Sequence, residues 1–157
     1  MKPEIERKFL LTPEQALILK AEATQRQKIR QGYLAEGSHV ILRVRILDET
    51  AYLTIKEKTK GSSRLELETP IKLSDGQKLL ALCSNQIDKT RHLIRRDYLI
   101  ELDEFHGNND GLWLAEIEFD SVEASEDFKP PIGLGKEVTE DYRYYNSYLV
   151  NHPYLNW

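Results

Sequence analysis

A single cysteine, Cys83, occurs among the 157 residues. One thiol can neither close a disulfide within the chain nor build a thiolate zinc cluster, so a disulfide-stapled scaffold and a zinc finger are both excluded. A reducing compartment is the simplest setting. No apolar run approaches the roughly 20 residues needed to cross a bilayer. The chain opens on charged residues rather than on a basic and then apolar signal segment, so a soluble, cytoplasmic protein without membrane contact is expected. Charge of one sign is also lacking: 22 Lys and Arg face 26 Asp and Glu, for a formal net charge of -4. Such balance argues against a protein that coats nucleic acid. His39, His92, His106 and His152 are scattered without metal-ligand spacing. Covalent catalysis has no evident nucleophile, because Cys83 falls on an expected helix and Ser62 and Ser63 fall in a loop without an adjacent histidine.

Charge itself is abundant, at 31% of residues, beside 40% hydrophobic residues that can bury a core in one domain spanning 1–157. The stretch Glu4-Ile5-Glu6-Arg7-Lys8 sets the pattern, with Glu4, Glu6 and Lys8 recurring at the strand period of two and therefore sharing one face. Thr12-Pro13-Glu14-Gln15 is a capping box with proline at the first helical position, which predicts a helix to about Gln27. Strands are expected over 29–34, 40–47, 51–57, 64–71, 89–95, 97–105 and 112–120, with a loop over 58–63. Ser74-Asp75-Gly76-Gln77 repeats the capping-box arrangement before a short helix ending near Cys83. The run His106-Gly107-Asn108-Asn109-Asp110-Gly111 has hairpin-turn chemistry. A last amphipathic helix is expected over 139–150.

On the two-residue period, one parity collects Glu4, Glu6 and Lys8; Arg43 and Arg45; Lys56; Arg64, Glu66 and Glu68; Lys89, Arg91 and Arg95; Glu101 and Asp103; Glu116 and Glu118. The other parity is mostly apolar. Half-buried strands with one solvated face alternate in the same way. Here, however, charges of like sign recur two apart within a strand, as Glu-x-Glu three times, Arg-x-Arg once and Lys-x-Arg once. Like charges on one open strand face repel for no return. A curled sheet supplies the return, with acidic pairs converging on divalent cations and basic pairs on a polyanion. The expected fold is α+β, mainly antiparallel: an eight-stranded closed barrel with a charged lumen and helices packed on its apolar exterior. All-oxygen acidic ligands suit Mg²⁺ or Mn²⁺, and the basic set suits phosphate. Arg7 falls on the outward parity, where a surface or helix contact is expected.

These residues resemble the CYTH superfamily, also called triphosphate tunnel metalloenzymes. Glu4-Ile5-Glu6-Arg7-Lys8 matches its Glu-x-Glu-x-Lys signature, and Gln31 to Leu34, Arg43-Val44-Arg45, Leu53 to Lys56, Glu66-Leu67-Glu68, Lys89-Thr90-Arg91, Asp103 and Glu116-Ile117-Glu118 follow in order, with the region from Gly135 to Tyr144. The resemblance implies a tunnel barrel that binds a triphosphate with divalent metal. It places Glu4, Glu6, Asp103, Glu116 and Glu118 on the metal side, and Glu66 and Glu68 near a second metal or its water. Lys8, Arg43, Arg45, Lys56, Lys89, Arg91 and Lys136 would hold phosphates. Arg64, Arg95, Glu101 and Arg143 share the phase or the region.

The expected activity is metal-dependent hydrolysis of a triphosphate by water, with Glu4, Glu6, Lys8, Glu66 and Glu68 as the catalytic set. Inorganic triphosphate comes first, because an organic head group needs an aromatic platform while Trp113 has the outward parity and Trp157 is terminal. Thiamine triphosphatase, nucleoside triphosphatase and class IV-type adenylate cyclase remain alternatives on the same fold. A polyphosphate-binding module without turnover is a further alternative. The partner is thus a small triphosphate or polyphosphate, with no nucleic acid and no membrane, and a homodimer is left open.

Overall fold

The computed structural model describes residues 2–37, 39–57 and 63–157. Strands form where the charged and apolar alternation runs longest: β1 Lys2–Leu10, β2 Gln25–Glu36, β3 Val40–Leu47, β4 Thr50–Glu57, β5 Ser63–Ile71, β6 Gln86–Arg95, β7 Leu99–Phe105 and β8 Trp113–Glu118, with a two-residue β9, Lys136–Glu137. The helices are short: α1 Pro13–Lys20, α2 Leu73–Leu82, α3 Val122–Asp127 and α4 Asn146–Leu149. All strand pairings are antiparallel, in the order β5-β4-β3-β2-β6-β7-β8-β1-β9, so the mainly antiparallel α+β class stands.

The expected eight-stranded closed barrel is corrected in two respects. Among the described residues nine strands are present, and β1 divides its length between β5 and β8 instead of closing the sheet with one full ladder. Residues 2–5 pair with β5, from Lys2 opposite Glu66 to Ile5 opposite Ser63, and residues 6–10 pair with β8, from Glu6 opposite Glu118 to Leu10 opposite Leu114. The junction is therefore a handover part-way along β1 rather than one continuous ladder. Across it, the charged parity of each strand turns to the inside of the curl.

Three apolar clusters hold this shape. On the outer face, Ala16 and Leu19 of α1 pack with Phe9, Ile94, Ile100, Leu102, Trp113, Ala115 and Ile117. Also outside, Leu80 of α2 and Cys83 cover Val44, Ile46 and Ala51. A third cluster lies at one end of the inner face, where Ile87, Phe105, Leu112 and Leu114 meet Val138, Tyr144, Leu149 and Val150 of the C-terminal segment. Those first four residues continue the phase of Lys89, Asp103 and Glu116, so the inner face changes from charged to apolar along the same strands. The charged lumen is thus corrected to a charged part with an apolar floor. Outer cover is also partial, since Val40, Ile55, Leu65 and Leu67 are exposed.

Other expectations shift for local reasons. Thr12 and Gln15 form the reciprocal capping box, yet α1 ends at Lys20 instead of near Gln27. Residues 25–32 are claimed by eight register positions with β6, and tertiary pairing overrides the helical reading. Ser74 does not cap α2; the helix starts two residues earlier, behind Lys72, without a side-chain cap. The helix expected over 139–150 is a 3₁₀ turn at Tyr142–Tyr144 followed by α4. A 3₁₀ turn at Gly107–Asn109 carries the turn chemistry, with positive φ at Gly107 and Gly111. Of the loop expected over 58–63, residues 58–62 lie outside the described part and Ser63 begins β5.

Arg7 is where the outward parity puts it. Its guanidinium donates to the backbone carbonyls of Ser125 and Phe128 at 2.9 and 2.7 Å and grips both carboxylate oxygens of Glu137. One cation so ties the end of α3 and β9 to β1.

Gly76 sits where α2 crosses β4, and a Cβ there would stand 2.4 Å from the Ala51 Cβ. Gly→Ala inside a helix ordinarily stabilises by about 1 kcal/mol. Overpacking against a strand backbone costs about 1–3 kcal/mol, because neither partner has a rotamer to escape through. Gly76→Ala is therefore expected to lower the unfolding free energy in urea, and an unchanged or raised midpoint would contradict this packing.

Candidate active site

The inner face encloses a cavity of about 700 Å³. Every expected site residue lines it except Asp103 and Lys136. Register explains the convergence. Glu6 lies opposite Glu118 and Lys8 opposite Glu116 across β1 and β8; Arg43 lies opposite Thr54, and Thr54 opposite Glu68, across β3, β4 and β5; Glu101 lies opposite Glu116 across β7 and β8. Each strand delivers its charges at every second residue, and the curl aims them at one volume.

The charges form two networks. In the first, Arg91 donates to Asp103 through Nε at 2.7 Å and NH2 at 2.8 Å, to Glu116 at 2.9 Å and, through NH1, to Glu101. Lys89 Nζ is 2.5 Å from Asp103 Oδ2, and Lys8 Nζ is 3.0 Å from Glu116 Oε1. In the second, Lys56 Nζ lies 2.9 Å from Glu4 and 2.7 Å from Glu66. Arg43 and Arg45 share Glu68 at 3.1 and 2.9 Å. Isolated buried charges are untenable, so the pairing is a condition of folding.

Protonation follows the neighbours. Burial disfavours the Glu116 carboxylate, yet Lys8, Arg91 and Lys89 hold its pKa well below the ordinary value. Burial likewise opposes ionised Asp103, and Arg91 and Lys89 prevail, so its pKa is also lowered. For Glu101 burial wins, with help from the Glu116 and Asp103 charges, and the pKa rises. Burial pushes the Lys89 ammonium down despite Asp103.

Asp103, expected on the metal side, is fully enclosed, with both oxygens taken by Lys89 and Arg91. Lys136, expected among the phosphate holders, is exposed in a separate depression with Arg7, Glu137 and Asp141. Glu101 joins the cavity, Arg95 is exposed, and Arg143 is exposed and paired with Asp141. The side chain of Arg64 lies outside the described part.

The lining also holds residues that charge patterning could not single out. Gln27, Gln31 and Tyr33 share the inward phase of β2, and their alternation was legible once that strand was extended back to Gln25. Tyr145, Asn146 and Ser147 enter from the C-terminal segment, which has no strand period to announce them. Trp113 is on the outer face, with Lys20 Nζ 5.4 Å from its ring centroid, as its parity implied.

The donor set suits a hard divalent cation, although among the described residues no three His, Cys, Asp or Glu side chains are gathered at a metal-binding spacing. Glu6 directly opposite Glu118 is a like-charge pair that an interposed cation would relieve. Among the described residues, and counting Asp103, eight carboxylates meet six Lys and Arg cations around the cavity, so added positive charge would favour the entry of a polyanion. Glu4, Glu6, Glu116 and Glu118 carry the oxygen ligands that fit that need.

A family model described as CYTH domain matches residues 2–133. An inorganic triphosphatase of Acetivibrio thermocellus is 38% identical over 160 residues, covering 100% of this chain and 99% of that protein. An inorganic triphosphatase of Nitrosomonas europaea is 38% identical over 153 residues, covering 94% of this chain and 96% of that protein. Among solved structures, the inorganic triphosphatase NE1496 superposes with a TM-score of 0.64 at 34% identity, covering 94% of this chain and 97% of its own. The cavity-lining residues 145–147 lie beyond the family match but within the span of the first relative.

Depressed carboxyl pKa values contribute stability that is present above the unfolded value and lost as pH falls through the folded one. For Asp103 and Glu116 that loss is expected from about pH 4 downward. In metal-free buffer, Glu116→Gln should flatten this acid limb and lower stability at pH 7 by about 3 kcal/mol, because Lys8 and Arg91 lose their carboxylate. Urea unfolding at several pH values checks both; an acid slope identical to that of the unaltered protein would refute the assignment.

Proposed function

Because the chain belongs to the CYTH domain family, we propose that it is a divalent-metal-dependent inorganic triphosphatase that releases phosphate by attack of water on a terminal phosphorus. The observation that carries this reading is the meeting of Lys8, Arg43, Arg45, Lys56, Lys89 and Arg91 around one enclosed cavity. Six cations from four strands match the spread-out charge of a linear triphosphate, which a single surface patch could not surround. The relatives named inorganic triphosphatase cover 100% and 94% of this chain. The match over 2–133 and the C-terminal segment packed into the same interior support treating 1–157 as one domain.

Substrate binding, in this reading, is an exchange of partners. Arg43 and Arg45 turn from Glu68 toward phosphate oxygens, and Lys56 turns from Glu4 and Glu66. Lys8, Lys89 and Arg91 do the same on the other flank, with Asp103 as the fixed carboxylate behind Lys89 and Arg91. Bound by Glu4, Glu6, Glu116 and Glu118, Mg²⁺ or Mn²⁺ would supply Lewis-acid neutralisation of the phosphoanhydride charge. Glu66 and Glu68, released from their cations, are available to orient the attacking water. Positioning and electrostatic stabilisation provide the catalysis, and no protein nucleophile is called for.

The inorganic substrate is favoured because Trp113 is outside and the rings at the cavity, Tyr33 and Tyr145, are engaged with the protein. Tyr33 OH accepts from Gln31, and Tyr145 OH donates to the Thr139 carbonyl while Lys8 Nζ lies 5.1 Å from its ring centroid. A reducing cytoplasm is the compartment we assign, in keeping with the buried free thiol of Cys83.

Two measurements test this. Inorganic triphosphate, pyrophosphate, ATP and thiamine triphosphate are offered with Mg²⁺, with Mn²⁺ and with chelator, and released phosphate and cyclic AMP are scored. Inorganic triphosphate should be turned over best and only with metal; intact triphosphate with either metal would leave a binding module. Separately, Glu6→Gln should lower kcat by about 100-fold or more while triphosphate still raises Tm, whereas the Arg43→Ala, Arg45→Ala pair should abolish that Tm rise. Unimpaired turnover in both variants would sink the site.

A further inference from the structure

Thr54 is the uncharged centre of the second network, and none of the roles above uses it. It lies on β4 with Lys56 two residues on, in the inward phase, yet it is fully buried and does not line the cavity. Pairing places it directly between Arg43 of β3 and Glu68 of β5, in one row across three strands. Its hydroxyl donates to Glu68 Oε2 at 2.8 Å and accepts from Arg43 NH2 at 3.2 Å. A hydroxyl can give one proton and still accept, so this one group satisfies an anion and a cation at once.

The two guanidiniums need such an arrangement. Arg43 and Arg45 both donate to the same carboxylate, and the Nε of each is buried without a hydrogen-bond partner. Two cations sharing one anion keep unspent donor capacity for a second anion, provided that the shared carboxylate stays where it is. Glu68 comes from β5, whose neighbouring carboxylate, Glu66, pairs closely with Lys56 at 2.7 Å and only loosely with Arg43 at 3.9 Å. Among the described residues, Thr54 is the neutral hydrogen-bond partner of Glu68, whose other partners there are the cations Arg43 and Arg45.

We infer that Thr54 is a positioning residue: by holding Glu68 and Arg43 in one row, its hydroxyl keeps the Arg43 and Arg45 guanidiniums spaced to receive a phosphate chain. It touches no substrate and acts through those two residues. The inference rests on the triphosphatase reading, and its test has a binding arm that is independent of turnover.

Thr54→Val is nearly isosteric and removes only the hydroxyl; Thr54→Ser keeps it and removes a methyl. Hydrogen bonds to charged groups are worth enough that Thr54→Val should raise KM for inorganic triphosphate about tenfold, with kcat within about twofold. The Tm rise with excess triphosphate and no metal should shrink in Thr54→Val, and Thr54→Ser should restore both measures to within about threefold. Should Thr54→Val fail to fold, Thr54→Ala is read in its place. Unchanged KM in the folded hydroxyl-free variant, or equal impairment in Thr54→Ser, overturns the inference. Loss of the fold in both hydroxyl-free variants also overturns it, by making the role structural. If no triphosphate is hydrolysed by the unaltered protein, the functional reading fails while the binding comparison still decides the role of Thr54.

Discussion

Mutual compensation of charge inside the curled sheet is the constraint on which this molecule depends. Among the described residues, eight carboxylates and six cations surround the cavity, several almost wholly removed from water. A lone charge so placed would be neutralised or would unfold its surroundings. Pairing solves the problem for the protein alone, with Arg91 drawing Asp103, Glu101 and Glu116 together and Lys56 bridging Glu4 and Glu66. It also leaves the site poised. Under the function proposed above, these ion pairs are exchanged for a polyanion and cations that balance one another.

The rest of the architecture keeps that interior in place. Helices α1 and α2 grip the outer apolar parity, and Arg7 fastens α3 and β9 to the same strand that carries Glu4, Glu6 and Lys8. The opposite end is sealed by apolar residues of the same inward phase, packed on Val138, Tyr144, Leu149 and Val150. The cavity thus has a dry floor and a charged wall, which concentrates the field of its side chains where solvent screening is weakest. Residues beyond the family match contribute to that wall, so the C-terminal segment belongs to the site as well as to the core.

Much of this was legible in one dimension. Glu4, Glu6 and Lys8 announce a strand whose polar face has a purpose, and like-signed pairs on β3, β5, β6 and β8 say that the faces meet. The failures have physical causes. Gln25 to Gln27 read as helix until pairing with β6 claimed them, and Ser74 had the composition of a cap without occupying the cap position. The tyrosines of 142–148 fit a helical stripe, but packing into the floor broke the segment into a 3₁₀ turn and a single α turn. Asp103 and Glu116 share a parity and a charge, yet one is an enclosed anchor and the other lines the cavity.

What the order of residues determined by itself is which side chains face the same way, because the strand period is a property of the backbone and needs no partner. It therefore settled the antiparallel, mainly β class and most of the charged side chains that line the cavity. Only the tertiary structure decided depth and partnership: that Lys136 stays outside, that Thr54 links an arginine to a glutamate, and that the inner face ends in an apolar floor. Those outcomes depend on strand tilt, on the handover along β1 and on the returning C-terminal segment, all of which bring together residues far apart in the chain.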